Sequence, residues 1–165
     1  HLHPRNGRLD LHLDYEKHPK LDKERRLNII LYMSKGWKKE WNGSTELWDN
    51  EVKECIVKSD VKFNTAIIFK TNEISWHGMP EKLKCPEGVF RKSLAYYYIS
   101  PLVTNKDQVK VGNNEDGYRI KAAFTKRPND EYNKIKEELY KIRPFRLINE
   151  EDMKKLDYNF DENID

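Results

Sequence analysis

The sequence is short of several features that would assign it to a familiar class. It has only two cysteines, Cys55 and Cys85, which excludes a disulfide framework and favours a reduced, cytoplasmic setting. It has no apolar run of membrane-spanning length and no predicted signal peptide, so no membrane association is expected. Neither sign of charge dominates, since 31 Lys and Arg are interspersed with 28 Asp and Glu. Because nucleic-acid binding favours a basic stripe, no nucleic-acid partner is expected.

What the chain does contain is enough apolar and aromatic material for one folded domain. Hydrophobic residues make up 37% of its 165 residues, and nine Tyr, six Phe and four Trp argue against disorder. Short β-branched and aromatic segments, separated by polar and turn residues, predict strands over the first hundred residues. These segments are RLDLHLDY, RLNIILYM, TELWD, ECIVK, VKFNTAIIFK and VFRKSLAYYYIS. The pattern predicts a mainly β sandwich or barrel.

The period changes in the C-terminal third. Residues 102–125 have the composition of a loop or hairpin excursion. Beyond about residue 126, apolar residues recur at steps of three and four, which predicts a helix that Pro144 stops; they are Tyr132, Ile135, Leu139 and Ile142. Asn149 can cap a second short helix over residues 150–156. We therefore predict a β core over residues 1–100 and a helical extension over 101–165 that packs on it within a single domain.

The segment LHLDY at residues 11–15 places an imidazole and a carboxylate on alternate positions. Side chains two apart on a strand point to the same face, so His12 and Asp14 should share one space. They are either a buried ion pair or two ligands of one metal. A second histidine, His77 in ISWHGMP, follows a strand-like segment and precedes Gly78, which can turn the chain. Two imidazoles and one carboxylate form the facial set that holds octahedral Fe(II) with open positions.

A further polar pair lies in the apolar segment VFRKSLAYYY. Arg91 and Ser93 are two apart and share a strand face. A buried arginine in such a segment needs a partner anion, and a guanidinium beside a hydroxyl suits the far carboxylate of a diacid.

With these motifs together, the sequence resembles the 2-oxoglutarate and Fe(II)-dependent oxygenases, in their prolyl-4-hydroxylase-like branch. The matching stretches follow the family's order from about residue 7 to 99; they are GRLDLHLDY, RRLNIILYM, WNGSTELWD, VKFNTAIIFK, SWHGMP and FRKSLAYYY. The resemblance implies a double-stranded β-helix, a jelly-roll or cupin-like fold. It implies His12, Asp14 and His77 as the catalytic iron ligands. It implies Arg91, Ser93 and Tyr32 as the binding residues for 2-oxoglutarate.

The resemblance also implies a reaction. Fe(II), 2-oxoglutarate and dioxygen, with ascorbate as a possible addition, would hydroxylate an unactivated C–H bond and release succinate and carbon dioxide. The expected substrate is a prolyl or other peptidyl residue. Two alternatives remain open: a hydroxylase of a small molecule or sugar, and a non-catalytic metal-binding β-sandwich that serves as an interaction module. A nucleic-acid demethylase of the same superfamily would carry an arginine six positions beyond Arg91, where this chain has Tyr97. The oligomeric state stays open.

Relatives carry helices and a first strand ahead of the motif at His12. Here the chain begins eleven residues before that histidine. Either upstream sequence is missing, or the predicted helix over Tyr132–Ile142 covers the sheet that those helices would cover.

Overall fold

The computed structural model describes residues 1–18, 20–102 and 118–130, together with Glu138, Lys141 and Glu151. Strands dominate these residues, so the prediction of a mainly β architecture is confirmed. No helix within them is long and apolar enough to cross a membrane. Except for those three single positions, the two predicted C-terminal helices lie outside the described residues, and so does any covering of a sheet by them.

The strands form two antiparallel sheets. The four-stranded sheet has the order β1 (Leu2–His3), β8 (Arg91–Pro101), β3 (Lys23–Tyr32) and β6 (Thr65–Lys70). The five-stranded sheet has the order β5 (Cys55–Lys58), β4 (Glu46–Trp48), β7 (His77–Met79), β2 (Leu9–Leu13) and β9 (Ala123–Thr125). One short 3-10 helix, Lys39–Trp41, precedes β4. The sequence patterns had not named β1 or β9 as strands, and the latter falls in the segment expected to be a loop or hairpin excursion.

The space between the sheets is unusually polar. Asn28 and Tyr32 on β3 point inward and hydrogen-bond to side chains of the other sheet's segments, Asp14 and Thr45. Further polar side chains are buried there, among them His12, His77, Arg91 and Ser93. Among the described residues, Met79, Leu83 and Cys85 form an apolar cluster that is buried against Leu9, Trp37, Trp41 and Val89. Burying polar groups is costly unless they are hydrogen-bonded, so stability alone does not account for an interior this polar.

The chain passes Gly78 without turning. The sequence suggested a turn at this glycine, but Gly78 lies inside β7 and is buried. A Cβ atom there would lie 2.8 Å from the carbonyl oxygens of Leu9 and Asp10, so only glycine permits this close approach of β7 to β2. The pairing sets His77 directly opposite His12, beyond a bulge in β2. His77 therefore opens its strand rather than following one.

The turn between β4 and β5 holds one strained residue. Among the described residues, the non-glycine positions with positive φ are Asn6, Asn42, Asn64 and Val52, the last at 57°. Asparagine tolerates this region, whereas a β-branched side chain clashes there. We expect Val52→Asn to raise the free energy of unfolding by about 0.5–1 kcal/mol. Denaturant unfolding measures it, and Val57→Asn, on the exposed strand β5, is the control that should lower stability. A Val52→Asn protein less stable than wild type would contradict the strain.

Candidate metal centre

The three residues of the expected facial set lie together between the sheets. His12 is the penultimate residue of β2, and Asp14 is the first residue after that strand. His77 lies opposite His12 on β7. One ligating atom from each lies within 4.8 Å of the others, and all three residues are buried. The His12 Nε2 atom is 3.9 Å from Asp14 Oδ1, and the His77 Nε2 atom is 3.6 Å from Asp14 Oδ2.

Main-chain contacts orient both imidazoles. The His12 Nδ1 atom lies 2.9 Å from the Asp10 carbonyl, and the His77 Nδ1 atom lies 2.8 Å from the Ser75 carbonyl. A carbonyl oxygen only accepts, so each neutral ring donates from Nδ1 and turns an unprotonated Nε2 toward Asp14. Burial lowers the pKa of His77, although the nearby Asp14 carboxylate opposes that shift. A neutral His77 is what a metal site requires.

The donor set fits a divalent ion. Metal–nitrogen and metal–oxygen bonds of about 2 Å let one ion bridge donors up to about 4 Å apart. The two Nε2–carboxylate distances fall within that reach. Two imidazoles and a carboxylate suit Fe(II), and a set of three leaves coordination positions open.

Two side chains on β3 contact the Asp14 carboxylate from the opposite sheet. The Asn28 Nδ2 atom donates to Asp14 Oδ2 at 3.0 Å, and the Arg25 Nη1 atom lies 3.5 Å from Asp14 Oδ1. The guanidinium of Arg25 lies between two tyrosine rings, 3.3 Å from the ring centre of Tyr15 and 3.5 Å from that of Tyr97. This double stacking fixes a planar cation beside the acidic ligand.

Arg91 lies at the other end of the same space and has an unusual environment. It is 3% exposed, and no carboxylate among the described residues is paired with it. Its guanidinium donates to the Gly43 carbonyl at 2.6 Å and to the Ser93 hydroxyl at 3.2 Å. Burial lowers the pKa of Arg91, and Tyr32 opposes the shift. A buried guanidinium without a counter-ion favours an anionic ligand.

Hydroxyl groups surround this guanidinium. Thr45 Oγ1 accepts a hydrogen bond from the Tyr32 hydroxyl at 2.8 Å and lies 3.4 Å from Arg91 Nη2. The Tyr32 hydroxyl also lies 2.6 Å from Ser59 Oγ. Gly43 has φ of 96°, and a Cβ atom there would lie 3.0 Å from Arg91 Cδ, so glycine makes room for the arginine. The expected trio of Tyr32, Arg91 and Ser93 is thus brought together.

One cavity connects the two ends. It has a volume of about 50 Å³. Its walls combine the three candidate metal ligands with the end that holds Arg91; they include His12, Asp14, His77, Asn28, Thr45, Arg91, Ser93 and Tyr97. A ligand that bridges both ends would need a metal-chelating group and a distal anion.

The family comparison agrees with this geometry. Residues 1–99 match the model of the 2OG-Fe(II) oxygenase superfamily. The chain belongs to that superfamily. As a 2OG-Fe(II) oxygenase it is an oxygenase-type enzyme that uses Fe(II), 2-oxoglutarate and dioxygen. No curated protein matches the chain. The family match contains the three candidate metal ligands together with Arg91 and Ser93, whereas β9 lies beyond it.

Sequence reasoning missed several residues of this site. Asn28 could have been found, because it is the polar residue in the apolar run RLNIILYM and shares a strand face with Tyr32. Arg25 and Thr45 carried no comparable signal. Arg119, which also reaches the site, lies more than a hundred residues from its partners Asp14 and Glu16.

Proposed function

We propose that this 2OG-Fe(II) oxygenase is a hydroxylase of the prolyl-4-hydroxylase-like branch that acts on a prolyl or other peptidyl residue. The observation that carries the proposal is the single cavity with His12, Asp14 and His77 at one end and the unneutralised Arg91 at the other. A chelating metal at one end of this cavity and a guanidinium at the other suit a short diacid that chelates at one end. In this proposal the sandwich is a double-stranded β-helix, and ascorbate keeps the iron reduced.

The residues at the two ends of the cavity have different proposed roles. His12, Asp14 and His77 would hold Fe(II), which with 2-oxoglutarate and dioxygen supplies the oxidising power for hydroxylation. With these bound, one oxygen atom of dioxygen would enter the substrate C–H bond, and the other would enter the succinate that forms as carbon dioxide leaves. Arg91 and Ser93 would bind the distal carboxylate of 2-oxoglutarate, with the Tyr32 hydroxyl beside them.

The four-stranded sheet supplies the positive charge that balances the Asp14 carboxylate. The cation of Arg25 lies beside Asp14 and, with Asn28, holds the carboxylate toward the two imidazoles. Burial raises the pKa of Tyr97, and the Asp14 charge adds to that shift, so its hydroxyl stays neutral next to the site. Tyr97 takes the place where a nucleic-acid demethylase of this superfamily would carry an arginine, and the charge of the chain is nearly balanced. Both features support a peptide rather than a nucleic-acid substrate.

The test is an oxygenation assay with a panel of candidate substrates. The purified chain is incubated with Fe(II), ascorbate and 2-oxoglutarate, and with proline-containing peptides, small molecules or sugars in parallel. We expect succinate release and a peptide mass that gains one oxygen atom. Oxygen gained only by a small molecule or sugar would replace the peptidyl substrate with that class. Succinate release no greater than that of the Asp14→Ala protein would leave a non-catalytic binding module.

A further inference from the structure

We infer that Arg119 and Phe124, which lie outside the family match, are positioning residues that hold Asp14 and His12 in their ligating geometry. The inference rests on the proposed metal site. Both residues belong to the stretch 118–130, which reaches the site from beyond the family-matched residues 1–99.

Arg119 holds the main chain of the acidic ligand. Its side chain is fully buried, and its Nε atom donates to the Asp14 carbonyl at 2.8 Å. Its Nη2 atom lies 3.4 Å from the Asn72 carbonyl and 3.7 Å from Glu16 Oε1. Asn72 lies in the loop that leads to His77. One guanidinium therefore links the loop after the first two ligands to the loop before the third.

The backbone around Arg119 forms a second link. The Glu16 amide donates to the Arg119 carbonyl at 2.6 Å, and the Arg119 amide donates to Glu16 Oε2 at 2.9 Å. These reciprocal bonds fix the segment that directly follows Asp14. Burial lowers the pKa of Arg119, and the charges of Glu16 and Asp14 oppose that shift. A cation buried so deeply persists only where its partners hold it.

Phe124 supports the first imidazole, that of His12. Strand β9 pairs with β2 so that Phe124 lies opposite His12, Ala123 opposite Leu13 and Thr125 opposite Leu11. The rings of Phe124 and His12 are stacked, with centres 5.2 Å apart and planes at 23°. Without β9 the strand that carries the first ligand would be a sheet edge. The stretch 118–130 therefore supports two of the three ligands. It holds Asp14 by its main-chain carbonyl and His12 by its imidazole ring.

The experiment compares metal binding by point variants of the 165-residue chain. The test variants are Arg119→Gln and Phe124→Leu. The matched controls are Arg127→Gln, another arginine of the same stretch that pairs with Glu81 and Asp130, and Phe63→Leu, an exposed phenylalanine. Mn(II) affinity is measured by calorimetry, and the visible spectrum of bound Co(II) reports the ligand geometry. Melting temperatures give the structural cost separately.

We expect Mn(II) affinity to fall roughly tenfold to a hundredfold in Arg119→Gln, as for outer partners of metal ligands elsewhere. The Co(II) spectrum should change in both test variants and stay as in wild type in both controls, even if Arg127→Gln melts earlier. Wild-type affinity and an unchanged spectrum in the test variants would overturn the inference and leave the proposed function intact. If Arg119→Gln fails to fold, the spectrum of Phe124→Leu decides. Wild-type protein that binds no Mn(II), or an Asp14→Ala protein that binds it equally well, would overturn the metal site itself.

Discussion

Replacing Asp14 with alanine is expected to abolish metal binding and succinate release, and this is the largest effect among the substitutions considered. Two imidazoles at the end of β2 and β7 would remain, but the charged ligand between them would be lost. Because a metal site depends on every ligand of a small set, the affinity should drop below what calorimetry with Mn(II) detects. Asp22→Ala removes a carboxylate that is 80% exposed and paired with Lys17, so it should bind metal as wild type does.

A second variant separates lost ligation from lost folding. In Asp14→Ala the buried guanidinium of Arg25 loses the carboxylate 3.5 Å away, which lowers stability. Asp14→Asn keeps the shape and a carbonyl oxygen that can accept the Asn28 hydrogen bond. We expect Asp14→Asn to melt closer to wild type and still to fail in succinate release. Turnover at the wild-type rate in either variant, under identical conditions, would show that this site is not the catalytic one.

Arg91→Lys is expected to weaken 2-oxoglutarate binding far more than metal binding. The guanidinium offers a planar fork to a carboxylate, whereas an ammonium group offers a point charge on a flexible stem. A hydrogen bond to a charged group contributes roughly 1.5–3 kcal/mol, so losing one should weaken binding about tenfold to a hundredfold. Calorimetry measures both affinities, that for Mn(II) on the metal-free protein and that for 2-oxoglutarate on the Mn(II)-loaded protein.

The matched control for Arg91→Lys is a change of ligand. An oxo-acid that lacks the distal carboxylate, such as 2-oxobutyrate, should bind the wild type and the Arg91→Lys protein alike, because it has no group for Arg91. Equal loss of affinity for both acids would mean that the substitution disturbs the metal end. Unchanged affinity for 2-oxoglutarate would remove Arg91 from its proposed role.

The alternation of side chains along strands made much of the site predictable. Where a bulge breaks that alternation, the sequence did not predict which residue points inward. His12 and Asp14, and likewise Arg91 and Ser93, are two apart, and the structure brings each pair into the same buried space. On β3 the same rule, counted back from Asn28, would place Arg26 inward. The pairing of β3 with β8 shifts between Arg25 and Leu27, and Arg25 lies beside Asp14 instead. A bulge of this kind depends on the partner strand, so the sequence of β3 does not reveal it.

Contacts between distant segments were equally hidden. Arg119 lies between Tyr118 and Ile120 in no motif that marks it, and its role arises only when the chain returns to the loop after Asp14. The short strands β1 and β9 show the same limit. Two or three residues carry too little pattern to be recognised, and each is formed by its neighbour in the sheet.

The alternation of β8 has a consequence for how the protein reaches its active form. The inward residues Arg91 and Ser93 are polar, while Leu94, Tyr96 and Tyr98 on the outward face are exposed and apolar. A slip of one residue against β3 would exchange the two sets, and hydrophobic burial alone would favour the exchange. The hydrogen bond from Arg91 on β8 to the Gly43 carbonyl opposes it. The residue proposed to recognise the co-substrate thus also favours the native register of β8 against β3. A ligand that binds Arg91 would therefore stabilise the correctly assembled sheet.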